Sequence, residues 1–414
     1  MRDFLPAQKA RRELVLGVIR TVFTSHGFDE IETPVMEDST RLHAGLGGDN
    51  EKLAFGVLKR GLTVEDFSAA SDALDLADLG LRFDLTVPLA RFYATHRAEL
   101  PAVFRSIQAA PVWRAERPQK GRYRQFVQCD IDIIGEAGPL AEIELLTATA
   151  DTFSALGILG CTIRINDRRL LIGMLESFGF SADSHEQVLI TIDKLDKIGA
   201  PGVVKELRGR GLDDAAIDAL DQFLSLPTGD QPTVFDAQSI RAQLPGEADH
   251  AVVAELAMIG SAVPSARLMF DPFLVRGMGY YTGTIFEIVH PDLPYSLGGG
   301  GRYDGMIGRF LGADVPAAGF SIGFERIVDL VQLAEVDQTG AVALVYETGV
   351  SAQTLMRLKA EVVAGGRRVR LEPAPRNLKP LLAKLAEAGF AEFALVAGSA
   401  VSLAELRIRK LDAE

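Results

Sequence analysis

The residues best suited to chemistry begin with a run of cations: Arg114, Arg117, Lys120, Arg122 and Arg124, with Glu116 the only acid between them and Gly121 in the middle. Arg outnumbers Lys here, which favours bidentate recognition of phosphate or carboxylate over simple solubility. The segment then passes into Phe126–Ile134, where polar and apolar residues alternate. That pattern predicts a half-buried strand with Gln128, Asp130 and Asp132 on one face. Pro111 to Arg114 also reads as extended, so the two arms form a hairpin with a cationic tip. Such a tip suits a polyphosphate or a nucleic-acid end, and the acidic strand behind it suits an ammonium group. A solvated basic hairpin is the plainer alternative. The apolar neighbours of Gln128 and Asp132 weigh against it, because they imply an enclosed face.

Three further stretches carry chemistry-bearing types. In Leu81–Arg91 the polar Arg82, Asp84 and Thr86 alternate with Leu81, Phe83 and Leu85, predicting one polar strand face, either a wet face or an ammonium-binding wall. In Met269–Glu287 a single arginine, Arg276, stands among Leu274, Val275 and Met278, ahead of Tyr280 and Tyr281. If buried it requires an anionic partner. Gly298–Gly301 lets backbone approach a flat ligand closely, and no Gly-Lys-Ser/Thr follows to make it a P-loop. Ala317–Ile327 reads as a strand running into a helix, whose onset near Gly323 offers a favourable dipole end for an anion.

The elements that must position these groups follow from periodicity. Residues 7–26 form an amphipathic helix, with Leu14, Val15, Val18, Ile19, Val22 and Phe23 at three- and four-residue steps. Phe28–Val35 reads as a strand with an edge proline. Residues 40–75, with Gly45, Gly47, Gly48 and scattered acids, read as loop. Pro139–Leu156 is a helix and Cys161–Asn166 a short strand. From Asp167 to about Val263 helical patterns dominate (Leu170–Phe178, Ile217–Leu224, Ala251–Ile259). Within it Asp193–Ile198 reads as a solvated helix face. Beyond Gln338, strands at Val342–Tyr346, Arg368–Leu371 and Ala394–Ala397 alternate with helices at Ser351–Ala364 and Asn377–Ala388, predicting a small α/β domain.

The totals set bounds. With 414 residues the chain has room for two or three domains. A net charge of −13 confines any nucleic-acid contact to local basic patches. Residues 337–414 hold 11 Lys+Arg against 9 Asp+Glu, net +2, while the rest carries −15, so the tail is the better RNA candidate. Cys129 and Cys161, the only cysteines, read as buried small hydrophobes; they form no disulfide framework and no zinc motif, and no metal ligands are expected from the protein. The N-terminus lacks a signal-length apolar run and no stretch is long enough to span a membrane, so the expectation is a soluble, cytoplasmic protein without membrane contact.

The motifs also carry a resemblance. R-x-E-R-P-Q-x-G-R-x-R-Q-F-x-Q, starting at Arg114, resembles motif 2 of class II aminoacyl-tRNA synthetases in the form found in histidyl-tRNA synthetases. The helix, Gly27-Phe28 and Pro34 resemble motif 1, which builds the dimer interface. L-R-x-D-x-T at Leu81 resembles the family's amino-acid-binding strand, with Asp84 where many bacterial members have Glu. Arg276-Gly277 with Tyr280-Tyr281 resembles the histidine A motif, with Gly279 where the family often has Asp. The glycine run resembles the histidine B motif, and Gly319–Arg326 resembles motif 3. The five motifs occur in family order over nearly the whole chain.

The resemblance implies an α+β fold: a class II antiparallel sheet with flanking helices, a mostly helical insertion and a small C-terminal α/β domain. The implied boundaries are 1–166 and 264–335 for the catalytic core, 167–263 for the insertion and 338–414 for an anticodon-binding-like domain. It implies a homodimer that activates histidine with ATP and Mg²⁺ and transfers it to tRNA(His). Arg276 and Arg114 would be catalytic. Asp84, Thr86, Arg122, Gln128, Asp132, Tyr280 and Tyr281 would bind histidine. Arg114, Glu116 and Arg326 would bind ATP, and Arg117, Lys120 and Arg124 would touch the tRNA acceptor end. The rival is an inactive relative that regulates ATP phosphoribosyltransferase; the intact Arg114, Glu116, Arg276 and Arg326 favour the enzyme.

Overall fold

The computed structural model describes residues 1–43, 52–117, 123–225, 234–276, 279–332, 340–398 and 402–411. Two compact units emerge, residues 1–2 with 15–331, and residues 3–14 with 332–414.

The first unit is built on an eight-stranded sheet. Its strands are β1 (Asp29–Glu30), β2 (Phe104–Trp113), β3 (Gln125–Ile134), β4 (Thr162–Asp167), β5 (Leu268–Phe270), β6 (Thr284–Val289), β7 (Gly298–Arg302) and β8 (Ala317–Gly323). In space they run β1-β2-β3-β8-β7-β6-β4-β5. The six interior strands pair antiparallel, and only the outermost pairs, β1 with β2 and β4 with β5, are parallel. The expected hairpin is β2 with β3, paired from Phe104 with Ile134 to Trp113 with Gln125.

β7 is four glycines ending in Arg302, and β8 carries Gly319 directly opposite Asp132 of β3. A Cβ at Gly300 would fall 1.9 Å from the Gly319 carbonyl oxygen, so only glycine fits. The sheet is tied to helix Leu140–Ala155 by a buried ion pair. Arg302 at the end of β7 donates Nε and Nη2 to the two oxygens of Glu142, each at 2.7 Å, and gives further hydrogen bonds to the carbonyls of Glu136 and Gly138. All of the carboxylate and most of the guanidinium are thereby satisfied, which is the condition for a buried pair to be tolerated.

Between β4 and β5 the chain is helical, as expected: Arg168–Phe178, His185–Ile192, Leu195–Gly209, Asp214–Leu224, Ala237–Arg241 and His250–Ala262 are helices. Their apolar faces (Leu171, Leu175, Leu189, Val203, Leu207, Ile217 and Leu220) join the same core as Phe83, Val87 and Tyr93. Of the Asp193–Ile198 run, Asp193, Asp196, Lys197 and Ile198 are exposed and Lys194 makes an ion pair with Glu206, as a solvated helix face requires.

Three sequence expectations are corrected. The strand at Phe28–Val35 shrinks to Asp29–Glu30. Arg82 is the cause: its Nη1 takes the carbonyls of Thr33 (2.6 Å) and Pro34 (3.3 Å), and Pro34 has no N–H to offer a ladder. The polar strand face at Arg82, Asp84 and Thr86 does not exist. The strand ends at Leu81 and a helix, Thr86–His96, begins, its first turn capped by the Asp84 side chain accepting from Val87 N at 3.2 Å. Residues 40–75 are not simply loop: Ser39–Leu42 and Val64–Ala69 are helices and Phe55–Leu58 is a strand. Asp66 and Asp72 act as caps there: Thr63 with Asp66 forms a capping box on the second helix and Asp72 with Asp75 caps the short turn after it, while Asp38, just before the stretch, caps the first helix. The glycines Gly45, Gly47 and Gly48 lie outside the described residues.

The second unit carries a four-stranded sheet, ordered Val369–Pro373, Val342–Tyr346, Glu392–Val396, Arg409–Lys410, with the first three parallel. Strand alternation puts Val342 and Leu344 against helix Ala352–Ala364 through Leu355 and Leu358, and Ala343 and Val345 against helix Lys379–Glu387 through Leu385. The expected small α/β arrangement is present.

Glu142→Ala leaves Arg302 buried without its carboxylate. Unfolding free energy from urea titration is expected to drop by about 3–5 kcal/mol.

Candidate active site

A cleft of about 220 Å³ opens on the sheet of the first unit, lined by strands β3, β7 and β8 and by residues 84, 86, 114, 116, 123, 126, 276, 280, 281, 325 and 326 among others. Gln128, Asp130 and Asp132 all line it, as their alternation on β3 predicts. Asp132 lies across β8: a Cβ at Gly319, its direct partner, would sit 1.9 Å from Asp132 Oδ1. The Tyr303 hydroxyl donates to that same oxygen at 2.6 Å. Tyr303 in turn meets the edge of Tyr280, and Tyr280 tilts against Tyr281, so three phenols wall the acidic group.

Gln128 has a fixed orientation. Its Nε2 donates to Ser321 Oγ at 3.1 Å and to Asp130 Oδ2 at 3.2 Å. Its Oε1 is buried and has no hydrogen-bond partner among the described residues, which leaves an acceptor for an ammonium. Asp84 and Thr86 reach the same cleft from the start of helix Thr86–His96. Both residues line the cleft, brought there by a helix start rather than by the expected strand face.

Arg114, Arg276 and Arg326 supply the opposite charge. Arg114 donates Nε to the Phe83 carbonyl at 2.9 Å and lies over the Phe126 ring. Arg326 donates Nη1 to the Ser296 carbonyl at 2.6 Å and to its hydroxyl at 3.1 Å. The strand-to-helix passage there is as expected, but helix Phe324–Ile327 is a single turn. The macrodipole grows with aligned peptides, so the charge at this place comes from the Arg326 side chain. Arg276 finds the anionic partner its apolar neighbours demand: Nη1 donates to Glu287 at 2.7 Å. Glu116 lines the cleft beside Arg114.

Arg117 and Arg124 are exposed and do not line the cleft. Lys120 and Arg122 lie outside the described residues. Cys129 is fully buried and Cys161 half-buried; burial pushes the Cys161 thiol up to about 11, which keeps it a neutral packing group.

Among the described residues, one cleft therefore joins three guanidiniums to five carboxylates and four phenols, contributed by the motifs read from the sequence. A family model described as histidyl-tRNA synthetase matches residues 1–327. The chain belongs to the histidyl-tRNA synthetase family. It is 60% identical to the histidine–tRNA ligase of Leifsonia xyli subsp. xyli over 96% of this chain and 94% of the relative. It is 43% identical to the probable histidine–tRNA ligase of Tropheryma whipplei, over 95% and 93%. The solved histidyl-tRNA synthetase of Nostoc sp. PCC 7120 superposes with a TM-score of 0.74 at 27% identity, covering 96% of this chain and 90% of that one. A structure titled ATP phosphoribosyltransferase regulatory subunit/histidyl-tRNA synthetase, from Bacillus halodurans C, shares the fold with a TM-score of 0.74 at 19% identity over 97% of each chain. The class II sheet expected from the motifs is thus the observed one.

Sequence reasoning put Asp130 on the polar strand face but gave it no site role, and passed over Ser296, Tyr303, Ser321 and Glu325; all five line the cleft. Asp130 shares the alternating face with its two neighbours, so its signal was present. Tyr303 directly follows the glycine strand and Arg302. Ser321 becomes a partner of Gln128 only through the pairing of β3 with β8, a contact 193 residues apart in sequence.

In this family member the carboxylates are crowded and dry. Burial raises Asp132 to about 7, against the hydrogen bond from Tyr303 that lowers it, and the charge of Asp84 adds to the rise. Burial and the neighbouring Asp132 push Asp130 well above the usual carboxylate range. Burial likewise drives Tyr303 and Tyr280 far up, so both phenols stay neutral donors. A carboxyl raised on folding holds its proton in the folded chain while the unfolded chain loses it. Asp132 therefore costs stability progressively as pH rises from its ordinary value of 3.8 toward about 7, and by a constant amount above that. Asp132→Asn removes this dependence. The midpoint difference between variant and parent, from thermal melts, is expected to move several degrees in favour of Asn between pH 4 and pH 7 and then level off. A difference independent of pH would contradict the raised carboxyl.

Proposed function

We propose that the chain is a histidine–tRNA ligase: it joins histidine to ATP as histidyl-adenylate, releasing pyrophosphate, and transfers the histidyl group to the 3′ end of tRNA(His). The observation that carries this reading is the placement of Arg114 and Arg276 in one cleft with Asp84, Gln128 and Asp132. Joining a carboxylate to the α-phosphorus of ATP builds negative charge on the phosphorus oxygens. Guanidiniums set in a partly dry cleft answer that charge without reorganising. No general base is required, because an amino acid's α-carboxylate is already ionised at neutral pH.

Arg114 and Arg276 take the reacting phosphate and carboxylate, and Arg114, Glu116 and Arg326 hold ATP, with Glu116 accepting from the adenine amine. The Gln128 amide oxygen and the carboxylates of Asp84 and Asp132 receive the ammonium or imidazole of histidine, with Thr86, Tyr280 and Tyr281 shaping the pocket. Paired donors and acceptors of this kind reject an analogue lacking them far better than an apolar wall can. Glu325 lines the cleft beside Arg326 and offers the oxygen ligand type that Mg²⁺ prefers, so it suits the Mg²⁺ that arrives with ATP and offsets its phosphate charge.

The exposed Arg117 and Arg124 fit acceptor-end phosphates; Lys120 and Arg122, which the motif assigns to the acceptor end and to histidine, lie outside the described residues. The catalytic core at 1–166 and 264–335, the insertion at 167–263 and the anticodon-binding-like unit at 338–414 complete a cytoplasmic homodimer. Among the described residues no helix is long and apolar enough to cross a membrane. The regulatory-subunit alternative is not favoured, because the relatives matched over nearly their full length are ligases.

ATP–pyrophosphate exchange with each of the twenty amino acids tests the reading, alongside Arg276→Ala. Exchange is expected with histidine alone, and the variant is expected to lose at least ~100-fold in kcat/KM. No exchange with any amino acid from folded protein would refute the activity.

A further inference from the structure

Arg276 lies in a slot that a glycine leaves open. A Cβ at Gly299 would come 2.7 Å from Arg276 Cζ and 2.8 Å from its Nη1. Gly299, Glu287 and Arg164 are direct partners across β7, β6 and β4. Residues paired in this way point to one face of a sheet. The row therefore reads gap, carboxylate, guanidinium, with Arg276 lying over the gap. The two oxygens of Glu287 serve different cations: Oε1 accepts from Arg276 Nη1 at 2.7 Å and Oε2 faces Arg164 Nη1 at 3.5 Å. Arg164 does not line the cleft. It is anchored by Asp271, with Nε to Oδ2 at 2.6 Å, and reaches Asp196 in the helical insertion at 3.3 Å. Asp193, at the end of helix His185–Ile192, adds negative charge toward Arg276 from the insertion as well.

We infer that Glu287 is a positioning residue for the activation step, a carboxylate that locks the long Arg276 side chain into the Gly299 slot so that the rest of its guanidinium faces the reacting groups. This rests on the proposed ligase reading. A structural ion pair alone would not require the arrangement, since Arg164 already has Asp271 as its partner. The arrangement instead ties a cation in the cleft to one pinned outside it. An arginine has several rotatable bonds, and a guanidinium displaced by about 1 Å loses much of its effect on a developing charge. Glu287 removes that freedom before substrate arrives.

Glu287→Gln keeps the volume and one acceptor but loses the charge. Three measurements on the variant and the parent decide the matter: ATP–pyrophosphate exchange with histidine, the thermal midpoint, and a crystal structure. Exchange kcat is expected to fall roughly 10- to 100-fold, with a much smaller change in KM for ATP and histidine and a melting curve close to that of the parent. In the crystal Arg276 is expected to leave the Gly299 slot. An unchanged kcat, a loss confined to KM, or an Arg276 that stays in place would overturn the inference. If the parent itself shows no exchange, the ligase reading fails, and the crystal still decides whether Glu287 holds Arg276. Glu287→Asp, which retracts the charge by one methylene, replaces the Gln variant should that fail to fold.

Discussion

The first unit depends on keeping opposite charges close together and away from water. Asp132, Asp130 and Asp84 share a cleft with Arg114 and Arg276, and every one of the three acids is nearly inaccessible. Burial makes the charged forms costly and raises Asp130 and Asp132 accordingly. The cluster is held by neighbours: Tyr303 on Asp132, Ser321 through Gln128, the Phe83 carbonyl on Arg114, Glu287 on Arg276. A substrate bearing both an ammonium and a carboxylate would complete a charge pattern the protein has already assembled.

The glycines make this crowding possible. At Gly319 the absent side chain admits the Asp132 carboxylate, at Gly300 it admits the neighbouring backbone, and at Gly299 it admits Arg276. Three polar requirements are met by removing atoms rather than adding them. The same economy explains why the strand pairs so regularly with both neighbours despite carrying four consecutive glycines, which have little strand preference of their own. Arg302 secures its end by pairing with Glu142 on the covering helix.

The insertion between β4 and β5 is more than a packed addition. Its helices share the core that holds Phe83 and Val87, next to Asp84 and Thr86. Its acid Asp196 reaches Arg164, which faces the far oxygen of Glu287. The outer parts of its helices carry ordinary surface ion pairs such as Arg208 with Asp218, of the kind that contribute little.

Much of this was legible in the sequence because it is local. Two-residue alternation placed Gln128, Asp130 and Asp132 on one strand face. Three- and four-residue periodicity marked the long helices, and an arginine among apolar residues announced that Arg276 must find an acid. Motif order was enough to identify the family. What the chain could not disclose is set by pairing at a distance. Which acid meets Arg276, which glycine makes room for it, and which serine orients Gln128 depend on the strand order β3-β8-β7-β6-β4, whose partners lie far apart in sequence. Local patterning also misled at Arg82, where alternation looks like a strand but a buried guanidinium gathers three backbone carbonyls, of Thr33, Pro34 and Pro111, and ends the strand pairing there. Side-chain periodicity reports which way a residue points. Only the tertiary fold decides what stands opposite, because desolvated charges and backbone contacts are settled by neighbours the local sequence does not contain.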